Sequence, residues 1–311
     1  MKPLNLLQAG ALLLLMIALL GLIGWIIAGF DGVLITVGLG TALAVFARGP
    51  STKIMFKAIG ARKLEPSDAP GLYGILTELS RRAGLDHVPD VHLLDADLMM
   101  AFSAGNNEKE AAIVLTGPLV QGLSAREIAG VLAHEISHIH SGDLVVMGMA
   151  DFFTRITRTL SMMGFILILL NVPLAVSGGG HLSWSVLGVL IAAPMTNFAL
   201  QLTLSRTREY LADEGGVDIC GDAQALASAL YKLETQEKQR WQKMFVPQKP
   251  GREPSLLRSH PKLEDRVQRI LSQHTSQPPL SDDLIGAEHG FPPDWNGDFS
   301  LPVRWLMRWW R

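Results

Sequence analysis

The chain has 311 residues, 48% of them hydrophobic and 18% charged, with a formal net charge of −2. That is too apolar for an ordinary globular domain and too charged for a bundle sunk wholly in lipid, so a mixed membrane and aqueous protein is expected. No basic run interleaved with aromatics crosses the middle of the chain, which argues against nucleic acid as a partner, and the single cysteine, Cys220, excludes an internal disulfide and a thiolate metal cluster and fits an aqueous part facing a reducing compartment.

The run from Pro3 to Phe30, "PLNLLQAGALLLLMIALLGLIGWIIAGF", carries no charge and exceeds the ~20 residues needed to cross a bilayer. A cleaved signal peptide would have a shorter apolar core. Here Asp31-Gly32 is followed at once by "VLITVGLGTALAVFA", so a helical hairpin turning at those two residues is expected. A second apolar block, Thr159 to Ser205, is long enough for two more spans around a turn at "SGGGHLS", 177–183. Backbone amides in hydrocarbon must be paired internally, so all four segments are read as helices, with Pro173 and Pro194 as points where they can kink or end. Arg48, Lys53, Lys57, Arg62, Lys63, Arg155, Arg158, Arg206 and Arg208 flank the hairpins, whereas the two short turns hold only Asp31 and His181. This asymmetry places the bulk of the chain, and the N-terminus with Lys2, on the cytoplasmic side.

Between the hairpins, "DAPGLYGILTELSRRAGL" (68–85) reads as an amphipathic helix closed by Gly84. Three short strands follow, at 90–96, 98–105 and 110–120, with "GNNEKE" as a hairpin loop. Ser124 and Glu127 then form a capping box, and Ile128, Val131, Leu132, Ile136 and Ile139 make a stripe that predicts a helix of about four turns.

That helix carries "AHEISHIHSGD". Residues four apart share a helix face, so His134 and His138 can aim imidazoles at one ion, and Glu135 stands where its carboxylate can reach a metal-bound water. Neutral imidazoles suit zinc, an open coordination position holds water, and zinc lowers that water's pKa to about 7, leaving Glu135 to take the proton and return it to the leaving amine. His140, two residues on, points away from this face and is read as a surface or hydrogen-bonded histidine. A third ligand is offered by "SRTREYLADEGG" (205–216): Glu209 can bind zinc, and Asp213, four residues later, can accept from the free ring nitrogen of a ligand histidine. Alone, such a pair is usually a solvated helix face; beside the first motif it reads as the other half of a site.

"HEISHIHSGD", a hydrophobic hairpin, "SRTREYLAD" and "SHPKLEDRVQRI" (259–270), with "AFSAG" and "IVLTGPL" upstream, resemble in that order the HtpX-like membrane zinc metallopeptidases, relatives of the CAAX prenyl protease. The resemblance covers about residues 1–271. It implies an α+β, mostly helical fold: a gluzincin-type metalloprotease domain with a short β-sheet, integrated with four transmembrane helices in two hairpins. It implies one zinc ion held by His134, His138 and Glu209, with Glu135 as base and Asp213 behind the ligands. Membrane or misfolded proteins are the implied substrates, in protein quality control and stress response, at a bacterial inner membrane. By the same resemblance, His260 can stabilise the tetrahedral oxyanion. Arg206 can bind the Glu209 or Asp213 carboxylate or the substrate carbonyl, and Ala101, Phe102 and Ser103 can pair with an extended peptide. The family usually has asparagine before that alanine and phenylalanine; Met100 stands there in this chain.

The expected organisation is a membrane hairpin at 1–47, a first protease part at 48–158, a second hairpin at 159–204, a second protease part at 205–271 and an extended tail at 272–311. The tail reads as a linker rich in proline, glycine and acids. It ends in "LPVRWLMRWWR", where Trp305, Trp309 and Trp310 among Arg304, Arg308 and Arg311 suggest an interfacial anchor. Because zinc would tie Glu209, at the foot of the fourth span, to the motif helix, the cleft is expected near the bilayer surface. Two other readings compete. A zinc-holding scaffold needs no general base at 135, and a transporter with a histidine proton path needs ionisable groups inside the spans, which are nearly devoid of them.

Overall fold

The computed structural model describes residues 3–42, 52–176, 184–244, 261–275 and 277–285. It is mostly helical with one four-stranded sheet, and the described residues fall into two compact units, one drawn from 1–48 and 145–207, the other from 49–144, 208–252 and 261–311.

The first unit is built from α1 (Pro3–Val33) with the π-helical turn Leu34–Leu39 that follows it, most of α6 (Asp143–Val176) and the first half of α7 (Trp184–Cys220). Three stretches, Leu7–Ala42, Asp143–Leu170 and Ser185–Cys220, are long and apolar enough to cross a membrane by length and composition. The first contains the expected chain reversal, but three residues before the predicted Asp31-Gly32. Ala28 and Gly29 leave the helix, and Gly29 sits at φ +61°, a conformation glycine adopts without a Cβ clash. Gly24 and Gly32 then face each other so closely that a Cβ on either would run into the other's backbone. Met16, Leu20 and Ile23 of α1 are fully buried against Ala150 and Phe153 of α6 and Leu190, Ala193 and Leu204 of α7, while Leu14, Leu15, Leu22 and Trp25 face outward. Apolar side chains outward and small contacts inward suit a lipid surround. One polar tie crosses this interior: Asn197 Nδ2 donates to Thr157 Oγ1 at 2.6 Å. Helix α7 runs through Pro194, and the predicted turn at 177–183 lies outside the described residues.

The second unit opens with α2 (Thr52–Ile59) and β1 (Arg62–Leu64), a strand the sequence did not announce. Helix α3 (Pro70–Ala83) follows, with proline in its first turn and Gly84 in the left-handed conformation at its end, as expected. Strands β2 (Asp90–Leu94), β3 (Ala101–Ala104) and β4 (Ala112–Thr116) complete a sheet of order β1-β2-β4-β3, in which only the β2–β4 pair is parallel. The β3–β4 loop is the predicted hairpin turn, capped by Asn107 Oδ1 accepting from the Glu110 amide at 2.9 Å. The third strand was expected to reach Val120, but it ends at Thr116. Gly117-Pro118 start the short helix α4 (Gly117–Gly122), because proline lacks a ladder donor yet fits the first helical turn.

Every residue of β4 is buried. One face of the sheet carries Val91, Ile113 and Leu115 against Leu72, Ile75, Leu76 and Leu79 of α3 and Ile128, Leu132 and Ile136 of α5 (Ala125–His140). The other carries Leu94, Ala112 and Val114 against Phe56 of α2. Each such leucine or isoleucine contributes about 2 kcal/mol by leaving water. α8 (Ala223–Met244) and α9 (Leu263–Ser272) close a smaller cluster over Val217 and Leu226.

The tail departs from the expected linker. Residues 277–285 pack on this unit: Leu280 is 5% exposed in the main core, and α10 (Asp282–Ile285) lies on α3. Arg82 Nη1 donates to Pro278 O at 2.7 Å and to Ile219 O at 3.3 Å, tying this strap to the end of α7. Leu280, Leu284 and Ile285 of "PPLSDDLI" meet the domain and outweigh the prolines and acids that made it look extended. The Trp/Arg-rich end, including Trp305, Trp309 and Trp310, lies outside the described residues.

Candidate active site

Helix α5 is fixed at its start by the capping box the sequence announced. Ser124 Oγ accepts from the Glu127 amide, and Glu127 Oε2 accepts from the Ser124 amide at 2.7 Å. Glu127 also accepts hydrogen bonds from Ser228 at 2.6 Å and from Lys232 at 2.7 Å, both on α8. Burial would raise its pKa, but the donors Lys232, Ser228 and Ser124 prevail and hold it down at about 2. The five predicted core residues of the stripe are all buried.

At the other end of α5 the histidine face meets α7. Gly216 is the reason the helices can approach: a Cβ there would stand 3.2 Å from both the His134 amide nitrogen and its Cα, and one on Gly215 would collide with the Ser137 side chain. With the two backbones this close, Glu209, two helical turns before Gly216 on α7, reaches the histidines. His134 Nε2 lies 3.8 Å from Glu209 Oε2 and His138 Nε2 lies 3.8 Å from Glu209 Oε1; the two rings meet edge to face at 4.8 Å. One donor atom from each of these three residues lies within 4.8 Å of the others.

The remaining ring nitrogens face carboxylates. His134 Nδ1 stands 3.1 Å from Asp213 Oδ1, off the line of a well-aligned hydrogen bond, and His138 Nδ1 stands 2.7 Å from Asp143 Oδ2. A carboxylate on Nδ1 puts the proton there and leaves the Nε2 lone pair free to bind an ion. Asp213 stands beside a ring nitrogen of His134; Asp143, which closes the opening motif, was not read as a site residue. Gly142, at φ +68°, turns the chain after Ser141, and Asp143 reaches back to a histidine of the helix just ended.

Two buried arginines back these carboxylates. Arg266 of α9, 8% exposed, clasps Asp213 with Nε on Oδ2 and Nη2 on Oδ1, both at 2.7 Å, and places Nη1 3.2 Å from Glu209 Oε2. Burial alone would lower its pKa, but Asp213, then the fields of Glu209 and Glu135, raise it, so it stays a cation. Arg208, 1% exposed, pairs with Asp143 and donates to the Ser141 carbonyl at 3.1 Å. Neither was read as a site residue; an arginine beside a ligand in "TREYLAD", and one in "LEDRVQR" on a helix that must cover the centre, were the available signals. Arg206 stands on α7 three residues before Glu209 and is half-buried. His140 is exposed, as expected. His260 lies outside the described residues.

The predicted substrate strand is β3, at the sheet edge, with Ala101 paired to Leu115, Phe102 to Val114 and Ser103 to Ile113. Its entry is fixed by Thr116, whose Oγ1 donates to Leu98 O at 2.6 Å and accepts from the Met100 amide at 2.9 Å. Gln236 of α8 accepts from the Met99 amide at 2.7 Å.

The donor set fits a divalent cation. The ion pairs join three carboxylates (Asp143, Glu209, Asp213) to two guanidiniums (Arg208, Arg266), and the field of Glu135 also reaches Arg266, so carboxylates outnumber guanidiniums at this centre, as suits a cation. Paired imidazoles with one carboxylate ligand, and a glutamate beside the first histidine, define a metallopeptidase-type centre. The sequence model of peptidase family M48 matches residues 66–274, which hold this whole constellation. A protease HtpX homolog from Methylibium petroleiphilum is 32% identical over 285 residues, 86% of this chain and 97% of that relative. The chain therefore belongs to peptidase family M48, and the HtpX-like resemblance of its motifs is borne out. The crystal structure of Ste24p from S. mikatae aligns over 84% of this chain at 20% identity with a TM-score of 0.45; the chain spans 62% of that protein, less than two thirds of its length.

Proposed function

We propose that the protein is a membrane-integrated zinc endopeptidase that cleaves membrane or misfolded proteins at the cytoplasmic face. The observation that carries the reading is the convergence of His134, His138 and Glu209 with both Nδ1 atoms held by buried carboxylates, next to Glu135. Zinc bound there would supply Lewis acidity, acidifying a water and polarising the scissile carbonyl. Glu135 follows His134 on the same helix, takes the proton of the attacking water and delivers it to the departing amine. An extended substrate adds to the edge of β3 that no described strand pairs with, where alternate residues Ala101 and Ser103 point to the opposite face from Phe102 and Ala104. His260 serves as oxyanion stabiliser and Arg206 as a second donor to the substrate carbonyl; His260→Ala and Arg206→Ala lower kcat with zinc content unchanged if so. The cytoplasmic orientation is supported by lysines and arginines beside the apolar helices, among them Lys57, Arg62, Arg155 and Arg158.

The test is cleavage of casein or a model membrane substrate by the full chain in detergent, with chelation and zinc add-back, for wild type and Glu135→Gln. Loss of the general base is expected to cost about 10²- to 10⁴-fold in kcat, with zinc retained. Undiminished cleavage by Glu135→Gln sinks the mechanism, and a wild type that binds zinc but cuts nothing points to a scaffold.

A further inference from the structure

We infer that Arg266 and Arg208 are positioning residues of the metal centre, and that Arg266, by gripping Glu209 as well as Asp213, fixes the third ligand. The inference rests on the zinc reading above. Each histidine heads a chain of three groups, imidazole, carboxylate and guanidinium: His134–Asp213–Arg266 and His138–Asp143–Arg208. Asp213 and Asp143 are each 2% exposed, so water does not hold their orientation or offset their charge. The guanidiniums do both. A planar fork holding both oxygens of Asp213 at 2.7 Å fixes the carboxylate plane, and with it the direction from which His134 Nδ1 is met.

The two arms are unequal. Arg208 touches Asp143 and the Ser141 carbonyl, and so acts on a ligand only through Asp143. Arg266 reaches a ligand directly: its Nη1 meets Oε2 of Glu209, the oxygen 3.8 Å from His134 Nε2, and leaves Oε1 toward His138. It also joins two segments far apart in sequence, because its helix is anchored by Leu263 and Ile270 in the cluster around Val217 and Leu226. A ligand on α7 is therefore held in place by a guanidinium that α9 carries.

A structural ion pair that merely secures α9 would show the same contacts, so the experiment must separate geometry at the metal from helix docking. Zinc affinity is measured by competition with a chromophoric chelator, and cobalt(II) spectra report ligand geometry, both on the full chain in detergent. Arg266→Gln is expected to weaken zinc about 10- to 100-fold and to shift the cobalt bands, the range found when partners behind metal ligands are lost. Arg208→Gln should weaken it less, and Arg266→Lys, a point charge without the fork, should fall between wild type and Arg266→Gln. Leu263→Ala, which loosens α9 by packing alone, should lower the unfolding temperature while leaving zinc affinity within twofold of wild type. Wild-type zinc affinity in a folded Arg266→Gln overturns the inference. If that variant does not fold, wild-type affinity and cobalt spectrum in Arg266→Lys overturn it instead. Equal loss of affinity in Leu263→Ala and Arg266→Lys also overturns it, by assigning the effect to docking. A wild type that binds no zinc removes the metal reading itself, a result distinct from all of these.

Discussion

The two histidine arms solve one problem by opposite routes. His138 takes its carboxylate from five residues away, around a glycine turn that ends its own helix. His134 takes its carboxylate from a different helix, after the chain has passed through a long apolar excursion. The local arm is nearly guaranteed by chain geometry once α5 ends at Ser141. The distant arm exists only if α5 and α7 are packed in one register, so it reports on tertiary structure as well as on the site.

Removing the carboxylates tests that difference most strongly. Asp213→Ala takes from the buried Arg266 the carboxylate that holds two of its nitrogens and leaves it the single contact to Glu209, and loss of one partner of a buried pair costs about 3–5 kcal/mol. Asp143→Ala strands Arg208 in the same way, and both variants should lose zinc about 10- to 100-fold. Calorimetric unfolding with chelator present isolates the protein from the ion. The local arm should lose less of its helix contacts, so Asp213→Ala should destabilise the apo protein more than Asp143→Ala; the reverse order would break the comparison.

A smaller effect is expected from the helix contact itself. Valine at Gly216 would drive its γ-carbons into the His134 backbone, since even the Cβ would stand at 3.2 Å. Overpacking of this kind costs about 1–3 kcal/mol. Gly216→Val should therefore lower the unfolding temperature and loosen zinc, with Glu209 and Asp213 displaced together. An unfolding curve and a zinc titration indistinguishable from wild type would show that the glycine contact does not set the distant arm.

The sequence revealed these arms unevenly, and the reason is geometric. Helical spacing made His134, His138, Glu209 and Asp213 visible, because positions four apart on a helix share a face whatever the fold. The same rule hid Asp143, since the helix stops at Ser141 and a left-handed Gly142 turns the chain where periodicity no longer applies. Arg266 and Arg208 were only weakly signalled for another reason: a buried arginine is identified by what it meets, and its partners come from other elements. Gly215-Gly216 lies inside α7, where close packing against α5 leaves no room for a Cβ. In the fold, the amphipathic α3, the capped α5 and the hairpin loop were legible from local rules, whereas β1 was not. Its three residues show no long pattern, and only pairing with β2 makes them a strand.

The far end of α5 gives a control remote from both arms. Glu127 is held at about 2 from an ordinary value of 4.5, so its ionised form is stabilised by the fold. The sign follows: its contribution is fully present above about pH 4.5 and fades as pH falls through about 2. Glu127→Ala, which keeps the Ser124 cap on the backbone but loses the carboxylate half of the capping box, should cost about 1 kcal/mol at neutral pH. The gap between variant and wild type should narrow in acid, and zinc affinity at neutral pH should be nearly unchanged. A large loss of zinc would mean that capping, rather than the carboxylate arms, orders the histidine face.

His140 should matter least, and the argument is again one of helix faces. At 100° per residue it lies 200° beyond His138, on the side of α5 away from Glu209, and it is exposed where His134 and Glu135 are buried. An exposed side chain with no cap or core contact contributes within about 0.5 kcal/mol. His140→Ala should therefore keep zinc stoichiometry, the cobalt spectrum and kcat/KM within twofold of wild type. If the variant instead released zinc, the ion would have to sit on the other side of the helix, and Asp143, Asp213 and both arginines would be left converging on histidines that hold nothing.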